Sequence, residues 1–195
     1  MSARRHITVG ALALLMALEG LRLMPYQDIA GVWTDGYGNT ENVVPGRRIT
    51  REKADADLQR HVQKFTQVVI DTLGPDVPQG MLDSFVLLTH NIGESRFRSS
   101  TAVAAYKAGD YSGACLYAMR YNKATVKGKK RVVRGLADRR YQEYNLCISG
   151  VPSAHWSQIH GRERRYPERV EQQPPPRGDW RTFLAGWFRD LRQAG

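Results

Sequence analysis

Apolar residues crowd the start of the chain. Ile7–Leu18 reads ITVGALALLMAL, apolar on almost every side, and gives way to Glu19 and Gly20. Such a run predicts a helix buried on most sides, with Gly20 as the residue that ends it. The pattern then changes period. Gly31, Gly36, Gly38, Pro45 and Gly46 punctuate Val32, Trp33, Thr34 and Tyr37, and frequent glycine among β-formers predicts short strands joined by tight turns.

From Thr50, a good N-cap, Ala54, Leu58, Val62, Phe65, Val69 and Leu73 recur at helical spacing until Gly74-Pro75. A second helix is predicted over Gln79–Asn91, with Met81, Phe85 and Leu88 turned inward. Shorter helices follow over Thr101–Ala108 and Tyr111–Tyr121, divided by Gly109-Asp110. A basic loop (KGKKR) leads to a last domain helix from about Leu136 to Cys147. This order predicts an α+β domain over residues 1–150: a small N-terminal lobe with short β-hairpins, a long connecting helix and a larger helical lobe.

Past Gly150 the pattern differs. Residues 151–195 hold a charged segment over Arg162–Arg169, a stiff extended linker over Glu171–Asp179 and a final amphipathic helix. In that helix Trp180, Phe183, Leu184, Trp187, Phe188 and Leu191 share one face. With Arg181, Arg189 and Arg192 beside it, this face either docks on the domain or lies against an anionic membrane surface.

Composition narrows the choice of function. The 195 residues are 42% hydrophobic and 25% charged, which excludes a disordered or collagen-like chain. A formal charge of +10 favours an anionic partner: nucleic acid, acidic lipid or an acidic cell-wall polymer. No zinc-type spacing, P-loop or dinucleotide fingerprint is present, and the five histidines are scattered, so neither a metal nor an organic cofactor is expected. Arg4 and Arg5 ahead of the first apolar run imitate a signal peptide, but its 12 residues fall short of the roughly 18 needed to span a bilayer. Cys115 and Cys147 are read either as two buried thiols or as one disulfide in a protein that works outside the cytoplasm.

Three residues around the first turn carry chemistry. Glu19 is predicted at the C-terminal end of an apolar helix, where exposed carbonyls and partial burial both favour the neutral acid, with Arg22 opposing. A neutral carboxyl is a proton donor for a leaving alkoxide. Asp28 follows Pro25-Tyr26-Gln27 in a polar turn and is expected to stay ionised. Thr34 would face it across the turn, and the two together can hold and deprotonate one water.

The ordered set is more specific than its members. Glu19-Gly20-Leu21-Arg22-Leu23, Tyr26-Gln27-Asp28 and Gly31-Val32-Trp33-Thr34-Asp35-Gly36-Tyr37-Gly38 resemble the signature of the phage-type lysozymes, the endolysins of glycoside hydrolase family 24 that degrade peptidoglycan. Ser84-Phe85, His90-Asn91-Ile92-Gly93, Phe97 and Ser99-Ser100-Thr101 resemble a further region of that family, and Gly135-Leu136, Arg139-Arg140 and Glu143 its closing helix.

The resemblance implies a lysozyme-like fold and a muramidase that hydrolyses the β-1,4 bond between N-acetylmuramic acid and N-acetylglucosamine during host lysis. It casts Glu19 as general acid and Asp28 with Thr34 as holders of the attacking water, with inversion the simplest outcome. Thr40, His90, Asn91 and Ser100 become substrate-binding candidates, and Asn39, where many members have histidine, a support for the turn. A Cys115–Cys147 bridge after release into the periplasm becomes as acceptable as free thiols.

Peptidoglycan then accounts for the basic charge without a physiological nucleic acid. A monomer is expected, held in the host cytoplasm until a holin-type pore gives it access to the wall, with signal-anchor export as the alternative. The C-terminal helix offers a contact with outer membrane or lipopolysaccharide. Two rivals remain at this level: membrane disruption by that helix, and a basic nucleic-acid-binding module indifferent to Glu19.

Overall fold

The computed structural model describes residues 5–28, 31–126 and 128–155. The linker over Glu171–Asp179 and the amphipathic helix expected over Trp180–Leu191 lie outside the described residues.

The first helix, α1 (Val9–Glu19), begins at Thr8, whose hydroxyl accepts from the Ala11 amide. It ends at Gly20, where φ is +69° and the amide returns to the Met16 carbonyl. The chain then forms a hairpin of β1 (Arg22–Gln27) and β2 (Trp33–Gly36). Tyr26 stands opposite Thr34 and Gln27 opposite Trp33, with an irregularity in β1 between Arg22 and Tyr26. Gly36, at φ +56°, lets β2 close on α2: a Cβ there would meet the Ala54 Cβ at 3.2 Å.

Helix α2 (Arg51–Leu73) is the expected long connector, capped by Thr50 through the Lys53 amide and ended by Gly74. It leads into α3 (Gln79–Ile92), in which every residue from Met81 to Thr89 is buried. Around α3 gather α4 (Glu94–Arg98), α5 (Thr101–Lys107), α6 (Tyr111–Ala118) and α7 (Arg134–Ser149). Phe85 anchors this core, with ring centroids 5.8 Å from Phe97 and 6.4 Å from Tyr106. The architecture is the predicted α+β arrangement of a small β-lobe, a long helix and a helical lobe.

Two features hold α7 in place. Its end crosses the start of α3 at a pair of glycines: a Cβ on Gly80 would collide with the Leu146 carbonyl, and one on Gly150 would lie 2.6 Å from the Met81 amide. Cys147 of α7 is bonded to Cys115 of α6, both fully buried with Cα atoms 5.6 Å apart.

Some elements depart from expectation. The one-turn helix α4 was not foreseen; it follows Gly93 at φ +85° and is held by burial of Phe97, which a five-residue window cannot reveal. Tyr111–Tyr121 was expected to be helical throughout but stops at Ala118. The basic loop is a hairpin of β3 (Lys123–Val126) and β4 (Lys129–Val132) that turns at Gly128, φ +74°. Its lysines hid the β-formers Thr125, Val126 and Val132.

Gly80→Ala should destabilise the fold by about 1–3 kcal/mol, since the added methyl has only backbone to displace. Urea unfolding followed by circular dichroism measures this. Reducing the disulfide, which closes a 32-residue separation, should cost about 3–4 kcal/mol in the same titration.

Candidate active site

The N-terminal end of α1 is fastened to α3. Asp83, 2% exposed, accepts from the Thr8 amide at 3.0 Å and from the Thr8 hydroxyl at 2.6 Å. Gln79 Nε2 donates to the same carboxylate at 2.8 Å. Arg5 Nη1 adds bonds to the carbonyls of Pro75 and Val77. With one end fixed, an 11-residue helix carries its last side chain to a set point about 16 Å away. That side chain is Glu19.

Glu19 meets two partners from the helical lobe. Arg139 Nη1 donates to its Oε1 at 2.8 Å, and His90 Nδ1 stands 3.2 Å from the same oxygen. The His90 ring sits edge-on to Phe65 at 5.7 Å and lies 6.2 Å from His61. His61 Nε2 in turn is 3.8 Å from Glu41 Oε2. On the other side, a Cβ on Gly38, at φ +88°, would be 3.6 Å from Glu19 Oε2, so backbone closely overlies the carboxylate.

Arg139 is itself constrained. Its Nε donates to Glu143 Oε1 at 3.0 Å and its Nη2 to the Leu87 carbonyl at 3.3 Å. Arg140 Nη2 donates to the same Glu143 oxygen at 2.9 Å and to Asn91 Oδ1 at 3.1 Å. Arg140 and Glu143 are each only 1% exposed. Burial pushes the Glu143 carboxyl up against the pull of both arginines, and it brings Arg140 down to about 10.

These contacts revise the expectation for Glu19. Burial does push its carboxyl up, but His90 and Arg139 together outweigh it and hold the pKa below the ordinary 4.5. The free protein therefore carries an ionised, ion-paired Glu19, not a neutral acid. The local argument from the helix end omitted a guanidinium that arrives 120 residues later.

Asp28 and Thr34 meet on the backbone of one residue, Val32. Asp28 Oδ1 accepts from the Val32 amide at 2.9 Å, while the Thr34 hydroxyl donates to the Val32 carbonyl at 3.1 Å. Thr34 is 4% exposed, and its strand position opposite Tyr26 fixes it at the turn that holds Asp28. The turn over Glu19 is tied by Asn39, whose Nδ2 donates to buried Asp35 at 2.8 Å and to the Glu41 carbonyl at 2.9 Å.

The remaining candidates scatter. Thr40 is exposed just after that tie, and Asn91 is exposed at the end of α3 beside Arg140. His90 packs against Glu19 with a side chain only 8% exposed, and Ser100 is buried with its hydroxyl capping α5 through the Val103 amide at 3.1 Å. Arg139 and Glu143 stood in a motif without a role; their i, i+4 spacing on one helix was the available signal. Among the described residues, no group of three His, Cys, Asp or Glu side chains could hold a metal ion.

The chain is similar to known proteins. A family model described as phage lysozyme matches residues 16–143. The chain is 39% identical over 144 residues to an endolysin of Acyrthosiphon pisum secondary endosymbiont phage 1, covering 74% of this chain and 99% of the relative. It is 32% identical over 134 residues to a SAR-endolysin of Enterobacteria phage P21, covering 68% and 79% respectively. The muramidase domain of SpmX from Asticaccaulis excentricus superposes with a TM-score of 0.69 at 29% identity, covering 76% of this chain and all of that one.

Replacing Arg139 by Met should raise the Glu19 pKa, because burial then acts against His90 alone; carbon-detected NMR titration of the carboxyl reads the change. The lost partner of two buried carboxylates should also cost about 3–5 kcal/mol of stability. In the parent protein Glu19 is depressed, so its stabilising charge is fully present above the unfolded value of 4.5. It is lost as pH falls through the folded value, and denaturation midpoints below pH 4.5 should depend more weakly on pH in Arg139→Met.

Proposed function

We propose that this chain, which belongs to the phage lysozyme family, cleaves the β-1,4 bond between N-acetylmuramic acid and N-acetylglucosamine with Glu19 as general acid. As a member of that family it is an endolysin, a glycoside hydrolase of the lysozyme class that acts on peptidoglycan in host lysis. The observation that carries the residue assignment is the carboxylate of Glu19, fixed at the end of α1 between His90 and Arg139 and overlain by the Gly38 turn.

In the reaction, the Glu19 proton passes to the glycosidic oxygen as its bond to the anomeric carbon breaks. A water held by Asp28 and Thr34 attacks that carbon from the opposite face and gives its proton to Asp28, which is a single displacement with inversion. Glu19 must first take up a proton. Substrate supplies the condition, since covering the carboxylate strengthens the desolvation that already pushes its pKa up. Thr40 and Asn91, both exposed beside this site, contact the sugar chain; His90 keeps Glu19 in position, and Ser100 shapes the helical lobe.

The enzyme acts as a monomer on the periplasmic side of the inner membrane, a reading supported by the relatives described as SAR-endolysins. No described helix is long and apolar enough to cross a membrane. The amphipathic pattern of Trp180–Leu191 supports a contact with outer membrane or lipopolysaccharide.

Glu19→Gln should slow clearing of chloroform-treated Gram-negative cells by about 10²-fold or more; a retained rate overturns the assignment. Mass analysis of the digest should find reducing-end N-acetylmuramic acid, whereas an anhydro-sugar would mean a transglycosylase. Because substrate raises the Glu19 pKa, the alkaline limb of kcat should lie at higher pH than that of kcat/KM on soluble glycan strands.

A further inference from the structure

The β3–β4 hairpin has no place in the chemistry above, yet it concentrates the charge of the molecule. Between Arg120 and Ala137 the chain carries seven cations (Arg120, Lys123, Lys127, Lys129, Lys130, Arg131 and Arg134) and no acid, against a net charge of +10 for the whole sequence. Several cations elsewhere find acids: Arg51 pairs with Asp55, Lys53 and Arg60 with Asp57, Arg98 with Glu94. On the hairpin, no described acid forms an ion pair with Lys123, Lys129, Lys130 or Arg131.

The ribbon is also unpartnered as a sheet. Its two strands pair only with each other, and every residue of β4 is exposed, Val132 at 59%. Lys123 faces Val132 and Thr125 faces Lys130 on one side; Ala124 faces Arg131 and Val126 faces Lys129 on the other. Both faces are thus cationic, and no two cations stand directly opposite, which spares the ribbon its worst repulsion. A bare two-stranded hairpin is marginal in water, and the whole of its second strand is exposed.

Its position gives the ribbon a use. The base closes where the Val133 amide bonds to the Asn122 carbonyl at 3.0 Å, and α7 starts at the next residue, Arg134. Arg139, which holds Glu19, lies about 7.5 Å further along that helix. A cationic arm is therefore mounted on the helix that sets the acid.

We propose that the β3–β4 hairpin binds the carboxylates of the peptide stems on the peptidoglycan being cleaved, holding an anionic strand beside Glu19. This rests on the peptidoglycan reading above and adds the part of the polymer that the sugar site does not contact. Stem peptides carry free carboxylates along an otherwise neutral glycan backbone, so an arm with cations on both faces matches the wall at more than one stem.

The test measures binding without turnover. In a Glu19→Gln background, Lys129→Gln, Lys130→Gln and Arg131→Gln are combined, and co-sedimentation is measured with intact sacculi and with sacculi amidated by carbodiimide and ammonia. At low salt the hairpin variant should bind intact sacculi roughly tenfold more weakly and match its parent on amidated sacculi. Equal binding of both proteins to intact sacculi overturns the proposal, as does an equal loss on both wall preparations. Loss of binding to phosphatidylglycerol–phosphatidylethanolamine vesicles with sacculus binding unchanged overturns it too, in favour of a lipid surface. If the triple variant does not fold, Lys129→Gln, Lys130→Gln and Arg131→Gln are measured singly in the same way, and unchanged binding of all three to intact sacculi overturns the proposal. Muropeptide release into the supernatant reports separately on Glu19, so failure of the acid assignment is visible apart from failure of the arm.

Discussion

One guanidinium ties the molecule together. Arg139 donates to Glu19 from α1, to Glu143 on its own helix and to the Leu87 carbonyl of α3, so three helices converge on a single planar group. Removing two carboxylates and two guanidinia from water is costly, and the cluster's hydrogen bonds offset that cost only in part, since Arg140 Nε and Nη1 and Glu143 Oε2 are buried with no partner among the described residues. The glycine contact of α3 with α7 and the α6–α7 disulfide make the geometry available, because they fix where α7 lies independently of the ion pairs. The core thus serves the charge cluster, and the cluster in turn sets the state of the reactive carboxyl.

The balance at Glu19 is a contest between burial and its two partners, His90 and the Arg139 guanidinium, with the partners ahead in the free protein. Burial and the partners act in opposite directions on this carboxyl, and burial depends on what covers it. The tie from Asn39 to Asp35 matters here. It shapes the turn that brings Gly38 against Glu19, at a φ of +88° that disfavours any residue with a side chain. The place where many family members carry histidine is filled by an amide that bonds in two directions and holds the same turn.

Local signals carried much of this. The Thr50 cap, the apolar spacing of α2 and the glycine stops of α1 and α2 are written within a few residues of where they act. The ordered Glu19, Asp28 and Thr34 were legible as a set because hairpin and helix end are contiguous in sequence. What escaped depends on distance. The charge of Glu19 is decided by Arg139 on the far end of the domain, and the role of His90 by its burial against Phe65. Ser100, read as a cleft residue, is taken up by the cap of α5. The β3–β4 ribbon was obscured for a different reason: its lysines are poor strand formers, and only the turn at Gly128 organises them.

The fastening of α1 to α3 through Asp83 has a mechanical meaning. It makes α1 part of the helical lobe, although the chain enters the β-lobe directly after it. Glu19, Arg139 and His90 consequently sit on helices tied to one another, whereas Asp28 and Thr34 sit on a hairpin that packs against α2. The gap between proton donor and water holder is therefore set by how that hairpin lies against α1, while the charge of the donor is set by Arg139 and His90 from the helical lobe. Spacing and acidity at this site answer to different parts of the chain.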